Sequence, residues 1–483
     1  MKYILACIAI IGCLNIQAQI LDRESDWVNN GLRHSTQKSF SFENIESLLD
    51  TTKITKWDVF PSVLGSYYTK NPHFQTQIGA GVALETGFKK KIAFQLRYEL
   101  GYGYQTQNNS FSSGLQTKAY FENRLPLKNS NASEQFIYND LRFRFTYRPI
   151  RQIELQAGID NQHYGEGDRS IFLGTQAGPS PFVSFKGKIW HFEYTFMQQL
   201  WSEGMFTSSY APKGNVSHYI SYKINKNLHL GIFESVVYGM KDTLYNRGYE
   251  LEYLNPFIFF RPQEYSLGST DNVLLGLDIS YQFDKNMIYG SFLFDDFLLS
   301  ELRARSRWWA NKYTAQIGIK SYFGKGNHHF FHRFEATFVR PFTYSQIRPD
   351  VVYANAGLPA AHPLGANFVE LYDEINWKYK RFDFTLFLQY YLKGFSLPND
   401  NTGGNIYQPY DERKEDYHYT IGRGITTWHY AVGAHLGYQL HHQRWQVFIE
   451  PRLLIDKVEK KTSASAYFMI GIQRPIGAYR RNY

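Results

Sequence analysis

Cysteine is nearly absent from this chain of 483 residues: there are 2, Cys7 and Cys13, both in the N-terminal leader. With that leader removed no thiol remains, which excludes disulfides, cysteine nucleophiles and thiolate metal ligands. Long apolar runs are also missing. After the leader, nothing approaches the roughly 20 consecutive apolar residues that a membrane helix needs. No composition break, Pro/Ser-rich linker or low-complexity tract divides the chain into separate domains. There is no nucleophile elbow, phosphate loop or HExxH stretch, and no serine–histidine arrangement is evident; the lone Gly101-Tyr102-Gly103 reads as strand glycines. Charge of one sign is not in large excess. With 52 Lys and Arg against 43 Asp and Glu, the net +9 suits an acidic polymer or lipid headgroups, and nucleic acid is the least expected partner.

Aromatic residues, by contrast, make up 18% of the chain, with 38 Tyr, 38 Phe and 9 Trp. They fall in a strict alternation. Ile92, Phe94, Leu96, Tyr98, Leu100, Tyr102 and Tyr104 point one way on a strand; Ala93, Gln95, Arg97, Glu99, Gly101 and Gly103 point the other. The same pattern recurs from Trp428 to Leu440, from Phe382 to Tyr390 and from Leu141 to Tyr147. Segments of about ten residues, apolar on one face and polar on the other, are the mark of a transmembrane β-barrel whose lumen is wet. Girdles of Tyr and Trp at both membrane interfaces account for the aromatic excess, and the wet lumen for the negative mean hydropathy.

The leader explains how such a chain is exported. Lys2 gives a basic start, Ile4 to Leu14 an apolar stretch, and Ile16-Gln17-Ala18 a small residue before a cut at Gln19. Ile10-Ile11-Gly12-Cys13 offers a competing lipoprotein box. The expected division is residues 1–18 as signal peptide, 19–55 as a periplasmic or lumenal segment, and 56–483 as the barrel. Ser41 to Leu49 has the cap and apolar spacing of a short helix. The reading is therefore all-β: an antiparallel outer-membrane β-barrel of about eighteen strands with a short N-terminal helical element. An even number puts both ends on the periplasmic side. Tight turns at Asn225-Lys226-Asn227, Asp284-Lys285-Asn286, Lys380-Arg381 and His441-His442-Gln443 alternate with long loops, which are expected to face outward.

Two clusters carry candidate chemistry. Asp160 to Ser170 contains His163, Glu166, Asp168 and Arg169. The acid–base reading is weaker than a charged loop folded inward to constrict the lumen, because the spacing matches no metal signature and Gly165 and Gly167 favour a tight turn. The second cluster is Arg303-Ala304-Arg305-Ser306-Arg307-Trp308-Trp309. Guanidinium forks beside indole faces suit an acidic sugar polymer. A membrane-interface belt, with arginine on lipopolysaccharide phosphate, is the equal alternative. The residues expected to line an extracellular sugar-binding surface are Arg305, Arg307, Trp308 and Trp309, with Asp168 and Arg169. Neither His328-His329 nor His441-His442 is expected to bind metal, since strand neighbours point apart. No cofactor and no catalytic residue is expected.

Several stretches together resemble the Wzi-type capsule assembly family of outer-membrane proteins, in the form common in Bacteroidetes. They are Gly158 to Asp160 with Tyr164 to Leu173, then Asn255-Pro256-Phe257, Asp271 to Asp278, Tyr289-Gly290 with Asp295-Asp296-Phe297, and His362 to Phe368. They lie in the family's order along most of the barrel. Where the family often has Trp-Gly-x-Gly, this chain has Tyr164-Gly165-Glu166-Gly167. The resemblance implies an eighteen-stranded barrel that holds capsular or other surface polysaccharide without catalysis; related proteins are tied to gliding motility. A channel or assembly factor with an aqueous pore is the alternative of a different class. Outer-membrane lipid and lipopolysaccharide are the other expected partners, and a monomer the expected state.

Overall fold

Alternation fixes the architecture, because each strand must show its apolar residues to one medium and its polar residues to another. In the computed structural model eighteen antiparallel strands close into one barrel. They are β1 (Lys53–Tyr68), β2 (His73–Phe88), β3 (Ile92–Gln105), β4 (Gln135–Ile150), β5 (Ile153–Asp160) and β6 (Ser180–Ile189). Next come β7 (Phe192–Ser202), β8 (Pro212–Lys223), β9 (Leu228–Gly239), β10 (Asn272–Phe283), β11 (Asn286–Asp296) and β12 (Lys312–Lys325). The last are β13 (His328–Val339), β14 (Phe368–Tyr379), β15 (Phe382–Phe395), β16 (Ile425–Gln439), β17 (Gln446–Val458) and β18 (Lys461–Gln473). The structure describes residues 38–39, 48–49, 53–69, 73–105, 125–128, 135–175, 178–203, 212–240, 253, 271–397, 399–440 and 445–473. The leader with both proposed cleavage sites, Asn255-Pro256-Phe257 and the His441-His442-Gln443 turn lie outside the described residues. The number agrees with the eighteen or so expected, and the four alternating segments read from the sequence lie on β3, β4, β15 and β16.

Burial runs opposite to that of a water-soluble sheet. On β3, Gln95, Arg97 and Glu99 are buried while Leu100 and Tyr102 are exposed. On β16, His429 and His435 are buried while Tyr430, Val432 and Leu436 are exposed. Apolar surface left in water costs about 25 cal/mol per Å², so this many outward apolar side chains require a hydrocarbon medium. Aromatic rings collect at the short-turn end. Phe323 stacks on Phe330 with centroids 5.0 Å apart, and Trp377 stacks on Phe330 and on the ring of His328. His328 is thereby a girdle residue. Tyr390 and Tyr430 pair near the opposite end.

Strands β5 and β6 are short, and the chain leaves the wall at Asp160 to enter the lumen. The upper edge of β4 that β5 does not reach is taken by Leu125–Lys128. At the closing seam, β1 pairs with β18 from Val63↔Ile472 to Tyr68↔Tyr467. The N-terminal segment also enters the barrel. Lys38–Ser39 pairs with Gln162–His163, and Leu48 and Leu49 are helical and buried beside Ala93. Gly87 makes room there: a Cβ on it would sit 2.1 Å from the Leu48 carbonyl oxygen. The remainder of the expected Ser41–Leu49 helix lies outside the described residues.

Candidate functional site

The lumen is filled. Tyr164, Ile171, Phe172 and Leu173 from the loop after β5 join Tyr344, Tyr353, Ala360 and Leu364 from the loop after β13 in one buried apolar cluster. Phe172 stacks on Phe233 of β9 at 4.9 Å, over Gly276 of β10, where a Cβ would come within 2.6 Å of the ring.

The charged residues of the first loop are spent on the opposite wall. Glu166 accepts from Lys320 Nζ at 3.0 Å, and Asp168 pairs with Arg333 at 3.3 Å. Arg169 donates from Nε and Nη2 to the two oxygens of Glu370, both at 2.8 Å. Glu370 also accepts from Gln389 and from His362 Nε2, each at 2.7 Å. Glu335 accepts the backbone N–H of Asp168 and of Arg169 and the hydroxyl of Tyr289. A buried arginine is tolerable only with such a bidentate, fully bonded carboxylate. Above it, Lys393 Nζ donates to the carbonyls of Leu364, Ala366 and Gly404, tying the loops after β13 and β15 together.

His362 has a fixed tautomer. Its Nδ1 accepts from the Leu364 N–H, so the proton sits on Nε2 and is donated to Glu370. Burial holds the imidazole below its ordinary value, against the opposing pull of Glu370. The unfolded imidazole titrates near 6.5. As pH falls through that value the unfolded chain takes up a proton that the folded one refuses, so stability present above about pH 6.5 is lost below it. Unfolding midpoints between pH 8 and 5.5 are expected to fall with acidification. His362→Gln, which keeps a donor to Glu370, is expected to flatten that dependence; an unchanged slope would exclude His362 as its source.

The structure divides the six residues expected on one extracellular surface. Arg305, Arg307, Trp308 and Trp309 lie on the outer rim, in the loop after β11. Asp168 and Arg169 do not join them. They lie in the lumen, Arg169 at 1% exposure, because charge in this barrel is satisfied inward. On the rim Trp309 is a packing residue. The Arg413 guanidinium lies 3.7 Å from its ring centre, Tyr410 at 4.8 Å and Phe342 edge-on at 5.7 Å. The backbone N–H of Trp309 donates to Asp416 O, and that of Tyr419 to Arg307 O, so the loops after β11 and β15 form one platform. Arg305 and Arg307 are exposed on it and Trp308 is half-buried, with Tyr417 exposed nearby in sequence to Arg413 and Arg423. His163, Glu166 and Asp168 do not converge as an acid–base set: His163 Nε2 meets Gly165 O at 3.1 Å, and the two acids are ion-paired.

No family model matches the chain, and no curated protein matches its sequence. Solved structures do match. The chain is similar to Escherichia coli Wzi, described as an outer membrane protein involved in group 1 capsule assembly and a carbohydrate-binding β-barrel. Identity is 13%, over 88% of this chain and 85% of that one, with a TM-score of 0.52. The fold is that of an outer-membrane β-barrel. Acinetobacter baumannii OccAB2 (12% identical, 86% and 98% covered, TM-score 0.46) and the Pseudomonas aeruginosa outer membrane protein OprD (10%, 89% and 95%, 0.42) are more distant.

The sequence did not reveal Glu370, Arg333, Glu335, Lys320 or Lys393 as partners of the loops. Each occupies an inward position of an alternating strand, which is the signal that marks it as lumenal; nothing in the sequence marks which loop it meets.

Proposed function

We propose that the protein holds capsular or other surface polysaccharide on the outer membrane by binding it, with no chemistry on the polymer. The observation that carries this reading is the platform on the extracellular rim, which leaves Arg305, Arg307 and Tyr417 exposed over a lumen that is filled at the level of Phe172. Arg305 and Arg307 supply charge-assisted bonds to acidic sugars, and Trp308 and Tyr417 supply faces for stacking. The carbohydrate-binding barrel of the same fold supports it. Trp309 and the lumenal pair Asp168 and Arg169 act as supports beneath that surface.

The test separates Trp308 from its neighbour. Trp308→Ala combined with Arg305→Ala and Arg307→Ala is expected to release polymer from cells while barrel abundance stays normal. Trp309→Ala is expected to loosen the platform, at a cost of about 2 kcal/mol, roughly half that of truncating a fully buried aromatic residue. Normal polymer retention in the triple variant would sink the reading. Scoring colony spreading beside capsule retention in a deletion strain distinguishes a role in gliding motility.

A further inference from the structure

On the lipid-facing wall, polar side chains interrupt the apolar band across β11 to β14: three in one register line, and Asp373 one outward step beyond it, opposite Phe334, since Ile375 faces His332. Asn286 lies opposite Ser321, and Ser321 opposite His332, in strand register. All share the outward face with Ile288, Phe323 and Ile375, which are exposed to the membrane. His332 Nε2 bonds Asp373 Oδ1 at 2.8 Å, with the two side chains 29% and 37% exposed. Directly opposed residues on an antiparallel pair hold their Cβ atoms about 4.5–5.5 Å apart, so rotation of the Ser321 side chain brings its hydroxyl to the imidazole. With Nε2 donating to the carboxylate, Nδ1 is left as the base.

Depth and shape favour one ligand. Phe323 and Phe330 of the girdle lie one outward step nearer the short turns than Ser321 and His332. On a strand tilted about 40° that step is about 5 Å of depth. Ser321 and His332 thus sit just inside the hydrocarbon boundary of the periplasmic leaflet, where phospholipid ester carbonyls reach and phosphates do not, with Asp373 one outward step deeper. From Asp373 an apolar groove of about 340 Å³ runs past Leu371 and Leu388 to Tyr390, Tyr430 and Leu453, a bed for an acyl chain. A carboxylate bonded to an imidazole and facing lipid is costly and marks function more often than support. Its order, hydroxyl then imidazole then carboxylate, is that of an activated nucleophile.

We propose that this wall is an esterase site for glycerophospholipids, a function separate from polysaccharide binding and on a separate surface. Ser321 Oγ attacks the ester carbonyl carbon as His332 Nδ1 takes the hydroxyl proton. The tetrahedral intermediate expels the lysophospholipid oxygen, which leaves with that proton, and an acyl-serine remains. Water from the interface, deprotonated by His332 in turn, hydrolyses the acyl-serine to a fatty acid and returns the proton to Ser321. Asp373 is a positioning residue that holds the imidazole tautomer. The Asn286 amide, beside Ser321, faces the oxyanion.

The full-length protein in vesicles of phosphatidylethanolamine and phosphatidylglycerol is expected to release fatty acid and lysophospholipid. Ser321→Ala is expected to lower that release about 10³-fold without changing the unfolding midpoint. Asp373→Asn is expected to displace the acid limb of the pH–rate profile, which a merely structural pair would leave in place. A fluorophosphonate is expected to add to Ser321 in the wild type and not in Ser321→Ala. Absence of release by the wild type, or release that persists in Ser321→Ala, overturns the proposal and leaves the polysaccharide reading untouched. Should Asp373→Asn fail to fold, Ser321→Ala decides alone.

Discussion

Glu370→Ala is expected to destabilise the barrel by about 3–5 kcal/mol, the cost of leaving a buried charge without its partner. Glu370 accepts four hydrogen bonds, two from Arg169 and one each from Gln389 and His362, and its side chain is 1% exposed to bulk solvent. Removing both charges is a different matter. Arg169→Met with Glu370→Met leaves no orphaned ion, and this double variant is expected to be more stable than Glu370→Ala alone. Unfolding midpoints of the variants in lipid vesicles check both statements. Equal midpoints for Glu370→Ala and the wild type would show that the loop is held by its apolar residues alone.

Shortening the loop is expected to change transport as well as stability, since it also removes Arg169, the partner of Glu370. The wild-type barrel is expected to conduct little in planar bilayers, because Tyr164, Ile171, Phe172 and Leu173 close the lumen against Tyr344 and Tyr353. Replacing residues 162–173 with a short Gly/Ser linker removes that cluster's centre. Barrels of sixteen to eighteen strands leave an aqueous channel when nothing fills them. A large, steady conductance is expected in the shortened protein only. A wild-type barrel that already conducts steadily would revive the pore reading of the sequence.

How much of this was legible follows from which interactions are local. The strands were legible because alternation is written residue by residue, and Gln95, Arg97 and Glu99 on β3 declare the wet face unaided. The turns were legible where a side chain closes them: Asn225 Oδ1 accepts from the N–H groups of Asn227 and Leu228. The site was half legible. Asp168 and Arg169 stand in a polar loop, and polar loops ordinarily face bulk water; here their partners Arg333 and Glu370 lie 165 or more residues further along the chain, on the inner wall. The cover on Trp309 was not legible for the related reason that Arg413, whose guanidinium lies over its ring, comes from another loop. Ser321, His332 and Asp373 belong to three strands, so no spacing in the sequence joins them.

The seam between β1 and β18 has a consequence for how the ring is made. Among the described residues it holds six registered pairs, whereas β1 and β2 share sixteen. It also joins the most distant parts of the chain: the Tyr68 hydroxyl and Ser465 Oγ, 3.0 Å apart, are separated by 397 positions. Every other junction is a hairpin or a loop closure between consecutive strands and can form while the chain is still an open, curling sheet. Loop-closure entropy must be met in full before this last contact returns anything, so the seam is the final event of assembly and the slow one. Run backwards, the same asymmetry makes it the expected first place to unzip, and backbone amides of Val63 to Tyr68 are expected to exchange with solvent at a free energy below that of global unfolding.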